Sequence, residues 1–245
     1  MRKLLFTILI LSAILFGLWK LSNSRTFQVT GELISRVELS DSLVALTFDD
    51  GPTPGYTDEV LNVLNRYAIP ATFFLTGREI ESNRAEAEKI IKAGHQVGNH
   101  SFSHSQMILK RPEFIRNEIE RTNYAIRQAG FDGEIYFRPP YGKKLFMLPV
   151  ILKNMEQTSV IWDIEPELFA DVGSSAEAIA GHIEENVTPG SIILLHVMYP
   201  SREESRLAVP MIIENLQRQG YRFVTVSELI QRGLEEEKMF SFPNR

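Results

Sequence analysis

Val44-Ala45-Leu46-Thr47-Phe48-Asp49-Asp50-Gly51-Pro52 is the stretch on which the fold turns. Its first five residues, four of them apolar, read as a buried strand. Two carboxylates follow at once. Neighbouring side chains on an extended strand point to opposite faces, so Asp49 and Asp50 share one site only if the chain turns there. Gly51-Pro52 supplies the turn.

The same grammar repeats outward from this strand. Val60, Leu61, Val63, Leu64 and Tyr67 have helical spacing, and Ala71 to Leu75 is a second strand. Ala85 to Ala93 is helical and stops at Gly94; Gln96-Val97-Gly98 is a short third strand. Glu113 to Ala129 is an amphipathic helix ended by Gly130, and Tyr136-Phe137 makes a fourth strand position. Leu148 to Met155 (helix), Ser159 to Trp162 (strand), Ser174 to Asn186 (a serine-capped helix) and Ser191 to Leu195 (strand) follow. Val209 to Gln219 (helix), Arg222 to Val224 (strand) and Ser227 to Gln231 (helix) complete the series. Strands alternating with helices indicate a parallel sheet with helices outside. About seven such units predict an α/β fold, a distorted (β/α) barrel. Met198 to Ser205 reads as a loop over the site.

Composition is that of a globular chain: 245 residues, 44% hydrophobic, 23% charged, net charge -5. No long basic run points to nucleic acid as a partner. There is no cysteine, which removes disulfides and thiolate metal sites. Arg2 and Lys3 precede an apolar run from Leu4 to Trp19, closed by Lys20. That is the pattern of a signal anchor or a cleaved signal peptide over residues 1–24. The charge on its N-terminal side predicts a cytoplasmic start and an extracytoplasmic remainder. Residues 25–42 read as a polar connector with a strand-like piece at Glu32 to Leu39, and 236–245 as a solvated tail.

In parallel-strand barrels the site lies at the carboxyl ends of the strands. Here those ends carry Asp49 and Asp50, then His100 and His104, Arg138, Asp163 and Glu165, and His196. Two histidines four apart fall one helical turn apart on one face, a spacing suited to one metal ion. With Asp50 they make a three-ligand N/O set, which suits zinc and leaves a position for water. His95, nearby, reads as structural. His196, opposite such a site, is a candidate general acid, because an amine leaves poorly unless it is protonated.

These residues also carry a resemblance. Thr47-Phe48-Asp49-Asp50-Gly51-Pro52, Gly98-Asn99-His100-Ser101-Phe102-Ser103-His104, Arg138-Pro139-Pro140-Tyr141-Gly142 and Leu194-Leu195-His196 resemble, in order, motifs of the NodB-type polysaccharide deacetylases, carbohydrate esterase family 4. The resemblance implies a catalytic domain over 43–235 and removal of N-acetyl groups from an extracellular glycan, peptidoglycan or chitin-like. It implies a divalent metal, Zn2+ or Co2+, on Asp50, His100 and His104, with a water it activates as nucleophile. Asp49 would be the base, Arg138 its orienting partner and His196 the acid. The Tyr141 N–H would face the oxyanion, and Leu194 would line the acetyl pocket. The fourth motif departs from the family. Glu165 stands where an aspartate partner of the histidine is expected, with Asp163 as a substitute, and Phe169 stands in place of a tryptophan. Tyr141, Phe169 and Tyr199 are candidate sugar-stacking aromatics. An O-acetyl esterase of xylan type and a membrane-anchored glycan-binding pseudoenzyme are the alternatives.

Overall fold

The computed structural model describes residues 1–241, with side chains described up to 239. The expected tail therefore lies partly outside the described residues. The strand Val44 to Phe48 is the core of β2 (Leu43–Asp49), buried over its whole length. Its even and odd residues part company. Val44, Leu46 and Phe48 pack outward under helices α2 (Tyr56–Tyr67) and α8 (Glu203–Arg218), together with Val60, Leu64, Ile212 and Ile213. Leu43 and Ala45 join an inner cluster with Phe74, Val160, Trp162, Ile192 and Leu194. A strand buried on both faces needs no polar alternation, which is why it reads as a continuous apolar run.

β2 pairs in parallel with β3 (Thr72–Leu75) on one side and β6 (Ile192–His196) on the other, and β4 (Gln96–Asn99) extends the sheet from β3. The ring continues through parallel bridges Asn99–Phe137 and Phe137–Ser159 to β5 (Ser159–Val160), and Ile164–Ile193 returns it to β6. β7 (Arg222–Phe223) pairs with the first two residues of β2. The seven expected strand–helix units are all present, the fourth reduced to the single position Phe137. The barrel is distorted because its far side is held by bridges instead of full ladders.

Most helices lie where the spacing puts them: α4 (Arg84–Lys92), α5 (Pro112–Gln128), α6 (Met147–Asn154) and α7 (Ala176–Asn186). Four details differ. A short helix α3 (Gly77–Ser82) follows β3 directly, capped by the Thr76 hydroxyl, which accepts from the Glu79 N–H. The serine cap of α7 is Ser175, not Ser174. α8 begins at Glu203, so the stretch expected as a loop to Ser205 is already helical in its last residues. α9 (Val226–Ser241) continues through Gly233 into the expected tail, where the Glu236 carboxylate accepts from the Ser40 N–H at 3.1 Å.

The connector belongs to the packed unit. Its β1 (Leu33–Ile34) pairs in parallel with β5, and the Val37 N–H donates to the Gly190 carbonyl at 3.0 Å. A Cβ at Gly190 would lie 1.6 Å from the Val37 carbonyl oxygen, so only glycine allows this approach. Before it, α1 (Arg2–Ser22) is a 21-residue apolar helix, long enough to cross a membrane and with none of its most apolar stretch buried against the barrel.

Candidate active site

The carboxyl ends of the strands converge on one cleft of about 580 Å³, lined by Asp49, Asp50, His100, His104, Tyr141, Trp162, Glu165 and His196 among others. Asp49 is the last residue of β2 and stands opposite His196 in the β2–β6 register. Immediately after it the chain turns: Asp50 (φ 73°) and Gly51 (φ 75°) are both left-handed, which brings the second carboxylate to the same side. A Cβ at Gly51 would meet the Met198 side chain at 2.6 Å, so the turn requires glycine on two counts. Glu79 braces it. Its carboxylate accepts from the Gly51 N–H at 2.8 Å, the Thr76 hydroxyl at 2.7 Å and the Tyr199 hydroxyl at 2.9 Å. Tyr199 thus supports the Asp50 turn through its hydroxyl.

Asp49 is held by Arg138. The guanidinium is fully buried, donates to Asp49 Oδ1 at 2.7 Å and to the Thr47 hydroxyl at 2.8 Å, and also to the Val160 and Ile161 carbonyls. The Phe74 ring lies 3.9 Å from it. Burial works against an ionised Asp49, but Arg138 and, to a lesser extent, His100 and His196 outweigh it and hold the carboxyl below its ordinary value.

The two histidines are close, though not for the expected reason. They do not sit on a helix. β4 ends at Asn99, and a loop with left-handed Ser101 (φ 64°) and His104 (φ 57°) folds the second imidazole back onto the first. Asn99 Oδ1 accepts from the Ser101 N–H at 2.7 Å, and buried Glu118 accepts from the Ser103 N–H at 2.8 Å. The result brings the two Nε2 atoms to 3.2 Å, with His104 Nε2 3.5 Å from Asp50 Oδ1. His100 Nδ1 lies 2.8 Å from the Arg138 carbonyl, which as an acceptor fixes the proton on Nδ1 and leaves Nε2 free as a ligand. Burial and the neighbouring His100 push His104 down to about 4, which favours its neutral imidazole.

This donor set fits a divalent cation. One ligand atom from each of Asp50, His100 and His104 falls within 4.8 Å of the others. Asp50 Oδ1 is buried with no hydrogen-bond partner among the described residues, a costly state for a carboxylate oxygen unless a cation faces it.

The surroundings of His196 correct the expectation. Glu165 does not reach His196. It accepts from the Trp162 indole N–H at 2.9 Å and pairs with Arg25 at 2.5 Å. Asp163 is spent on the Ser191 hydroxyl and the Ile192 N–H, at 2.7 and 2.8 Å. The partner of His196 is Glu167, whose Oε2 lies 2.5 Å from His196 Nδ1. Pro166–Leu168 form one 3-10 turn, and that turn carries Glu167 under the imidazole where Glu165 points away. Glu167 also accepts from the His196 N–H and the Ser205 hydroxyl. Burial alone would lower the His196 pKa, but Glu167 above all, then Asp49 and Asp50, raise it above its ordinary value. The motif pattern misses Glu167 because it lies two residues beyond the expected position; the only signal in the sequence is a second carboxylate beside Pro166.

Two further residues fall elsewhere. Leu194 is fully buried in the barrel's inner cluster, two residues below His196, and does not line the cleft. Phe169 turns away and packs against His182 at 5.3 Å; Leu168 takes the place on the cleft wall. Tyr141 does line it, with its ring 4.6 Å from His104 and a left-handed backbone (φ 61°). His95 is structural, its Nδ1 accepting from the Ala71 N–H.

The family model described as polysaccharide deacetylase matches residues 36–159. A peptidoglycan-N-acetylglucosamine deacetylase of Bacillus cereus is 32% identical over 212 residues, covering 84% of this chain and 97% of its own length. The chain belongs to the polysaccharide deacetylase family. Membership places it among hydrolases of carbon–nitrogen bonds. A solved peptidoglycan N-acetylglucosamine deacetylase of this family superposes with a TM-score of 0.75 at 31% identity, covering 80% of this chain and 91% of the other. A family 4 pseudoenzyme from Bacillus anthracis superposes at 0.73 with 26% identity, covering 81% and 69%. The fold is therefore shared by members described as active and inactive, and the side chains of the cleft have to carry the argument for turnover.

Proposed function

We propose that the protein hydrolyses N-acetyl groups on an extracytoplasmic glycan, peptidoglycan or chitin-like, with a divalent metal, zinc or cobalt, held by Asp50, His100 and His104. One observation carries this reading: the buried, unpartnered Asp50 Oδ1 faces two imidazole nitrogens, directly beside an ionised, arginine-held Asp49. The cation would supply Lewis-acid polarisation of the acetyl carbonyl and make water more acidic there.

The protein's own residues account for the proton traffic. Asp49, kept ionised by Arg138, takes a proton from the attacking water. The Tyr141 N–H is the candidate donor to the oxygen that becomes negative as the carbonyl carbon turns tetrahedral. His196, kept protonated by Glu167, gives a proton to the departing sugar amine from Nε2, the nitrogen that Glu167 leaves free. Leu168 and Tyr141, both exposed, give the cleft apolar surface against which a sugar ring can lie. Helix α1 has the length, the composition and the flanking charge of a signal anchor, or of a signal peptide. Either use delivers the barrel outside the membrane.

Acetate release from N-acetylglucosamine oligomers and from peptidoglycan tests the reading. Release is expected to stop on chelation and to return with zinc or cobalt. Release that is indifferent to chelation, or none from any N-acetyl glycan by the metal-loaded protein, overturns it.

A further inference from the structure

The short segment between α1 and the barrel lies against the catalytic cleft. Asn23 and Arg25 are among its lining residues, beside Trp162 and Glu165. Two hydrogen bonds from Lys144 fasten the segment: its N–H donates to the Ser22 carbonyl at 3.1 Å, and its ammonium to the Ser24 carbonyl. Lys144 is 1% exposed, and burial pushes its pKa down to about 8. An ammonium is rarely buried without a partner, and here its partner is the backbone of residue 24. Arg25 then reaches into the cleft. Its guanidinium lies 2.5 Å from Glu165 and 5.2 Å from the centre of the Trp162 ring. Glu165 in turn accepts from the Trp162 N–H. Arg25, Glu165 and Trp162 thus form one connected wall, and a third of the Arg25 side chain (34%) stays exposed.

We propose that this segment completes the glycan-binding cleft, with Arg25 a specificity-determining residue that presents hydrogen-bond donors to the hydroxyl and acetyl oxygens of the sugar beside the one being deacetylated. This rests on the glycan-deacetylase reading. A guanidinium has five N–H donors in a rigid fork. One carboxylate cannot use them all, which leaves donors on a guanidinium that lines the cleft. Glu165 and the nearby Trp162 ring position the fork, and the backbone contacts of Lys144 fix where the segment begins. The segment that follows α1 therefore also shapes what the cleft binds. Glu165, which the sequence pattern assigns to the acid, instead orients Arg25.

The test uses the full chain in detergent. Arg25→Ala and Arg25→Lys are compared with wild type for kcat and KM on N-acetylglucosamine tetramer. Binding of the same oligomer is measured by calorimetry in an Asp49→Asn background, where it is not consumed. Arg25→Ala should raise KM and Kd about five- to tenfold with kcat within about twofold, and Arg25→Lys should fall between. A clasp with only a structural role would lower the thermal midpoint and leave KM and Kd alone, and that result overturns the inference. So does a fall in kcat at unchanged KM. If wild type releases no acetate, the deacetylase reading fails, and Kd alone judges Arg25: an unchanged Kd, or no binding by the Asp49→Asn protein, overturns it.

Discussion

The Asp49 side and the His196 side of the cleft, the proposed base and acid sides, are built differently. Asp49 ends a seven-residue strand, and Arg138 follows a bridge of the same barrel, so both are located by backbone pairing. Five hydrogen bonds, to Asp49, Thr47, Val160, Ile161 and, through its carbonyl, His100, make Arg138 a hub with no freedom. His196 also ends a strand, but its partner Glu167 comes from a 3-10 turn in the segment between β5 and α7. Beyond its own backbone bonds and the His196 N–H, that turn is held by side chains: Ser205 and, at 3.8 Å, Arg202. One half of the proposed proton machinery is set by topology and the other by a local turn. Topology is the harder of the two to change, so the base side should tolerate substitution least.

The largest effect expected is at Asp49. Asp49→Asn keeps the shape and removes the proton acceptor, and turnover should fall about 10³-fold or more with metal content retained. Retained turnover in a steady-state assay would remove Asp49 as the base. Arg138→Met comes next. It leaves a buried carboxylate without its counter-charge, which costs about 3–5 kcal/mol of stability. As the proposed base, Asp49 works above its lowered pKa, and that action is lost as pH falls through it. Without Arg138, burial raises that pKa, so the acid limb of the pH–rate profile should move to higher pH; an unmoved limb would separate Arg138 from Asp49.

On the acid side the effects should be smaller. His196→Ala should slow N-deacetylation about 10²-fold and O-deacetylation less, because an alkoxide leaves more readily than an amine. Equal losses on matched N- and O-acetyl sugars would count against the acid role. The smallest and most discriminating change is Glu167→Gln beside Glu165→Gln. In the proposed mechanism His196 serves as an acid below its raised pKa and stops as pH rises through it. Removing the Glu167 charge leaves burial to lower that pKa, so the basic limb should move to lower pH. Glu165→Gln should leave this limb in place, since Glu165 is bonded to Arg25 and Trp162. The reverse pattern would restore the sequence-based pairing.

The same division explains what could be read from the sequence. Strand ends are legible because a buried apolar run announces itself and its last residue has a known place in a barrel: Asp49, Arg138 and His196 are located this way. The two histidines are found through their spacing, but by way of a helix that does not exist. Two left-handed residues and the Asn99 and Glu118 hydrogen bonds do the folding, and no periodicity reports them. Glu167, Leu168 and the docked Arg25 are not legible for a related reason. A 3-10 turn moves a side chain by about a third of a turn per residue, so counting positions along Glu165 to Phe169 cannot say which side chain faces the imidazole. Contact between Arg25 and Glu165 spans 140 residues of chain and leaves no local trace.

The most direct test is the metal content of the purified chain and its single variants, read together with acetate release. One equivalent of divalent metal is expected in wild type and in Asp49→Asn, and a large loss in Asp50→Ala and His104→Ala, with acetate release following the metal except in Asp49→Asn. Metal bound equally by wild type, Asp50→Ala and His104→Ala, or acetate released by a metal-free wild type, would contradict a metal-centred cleft.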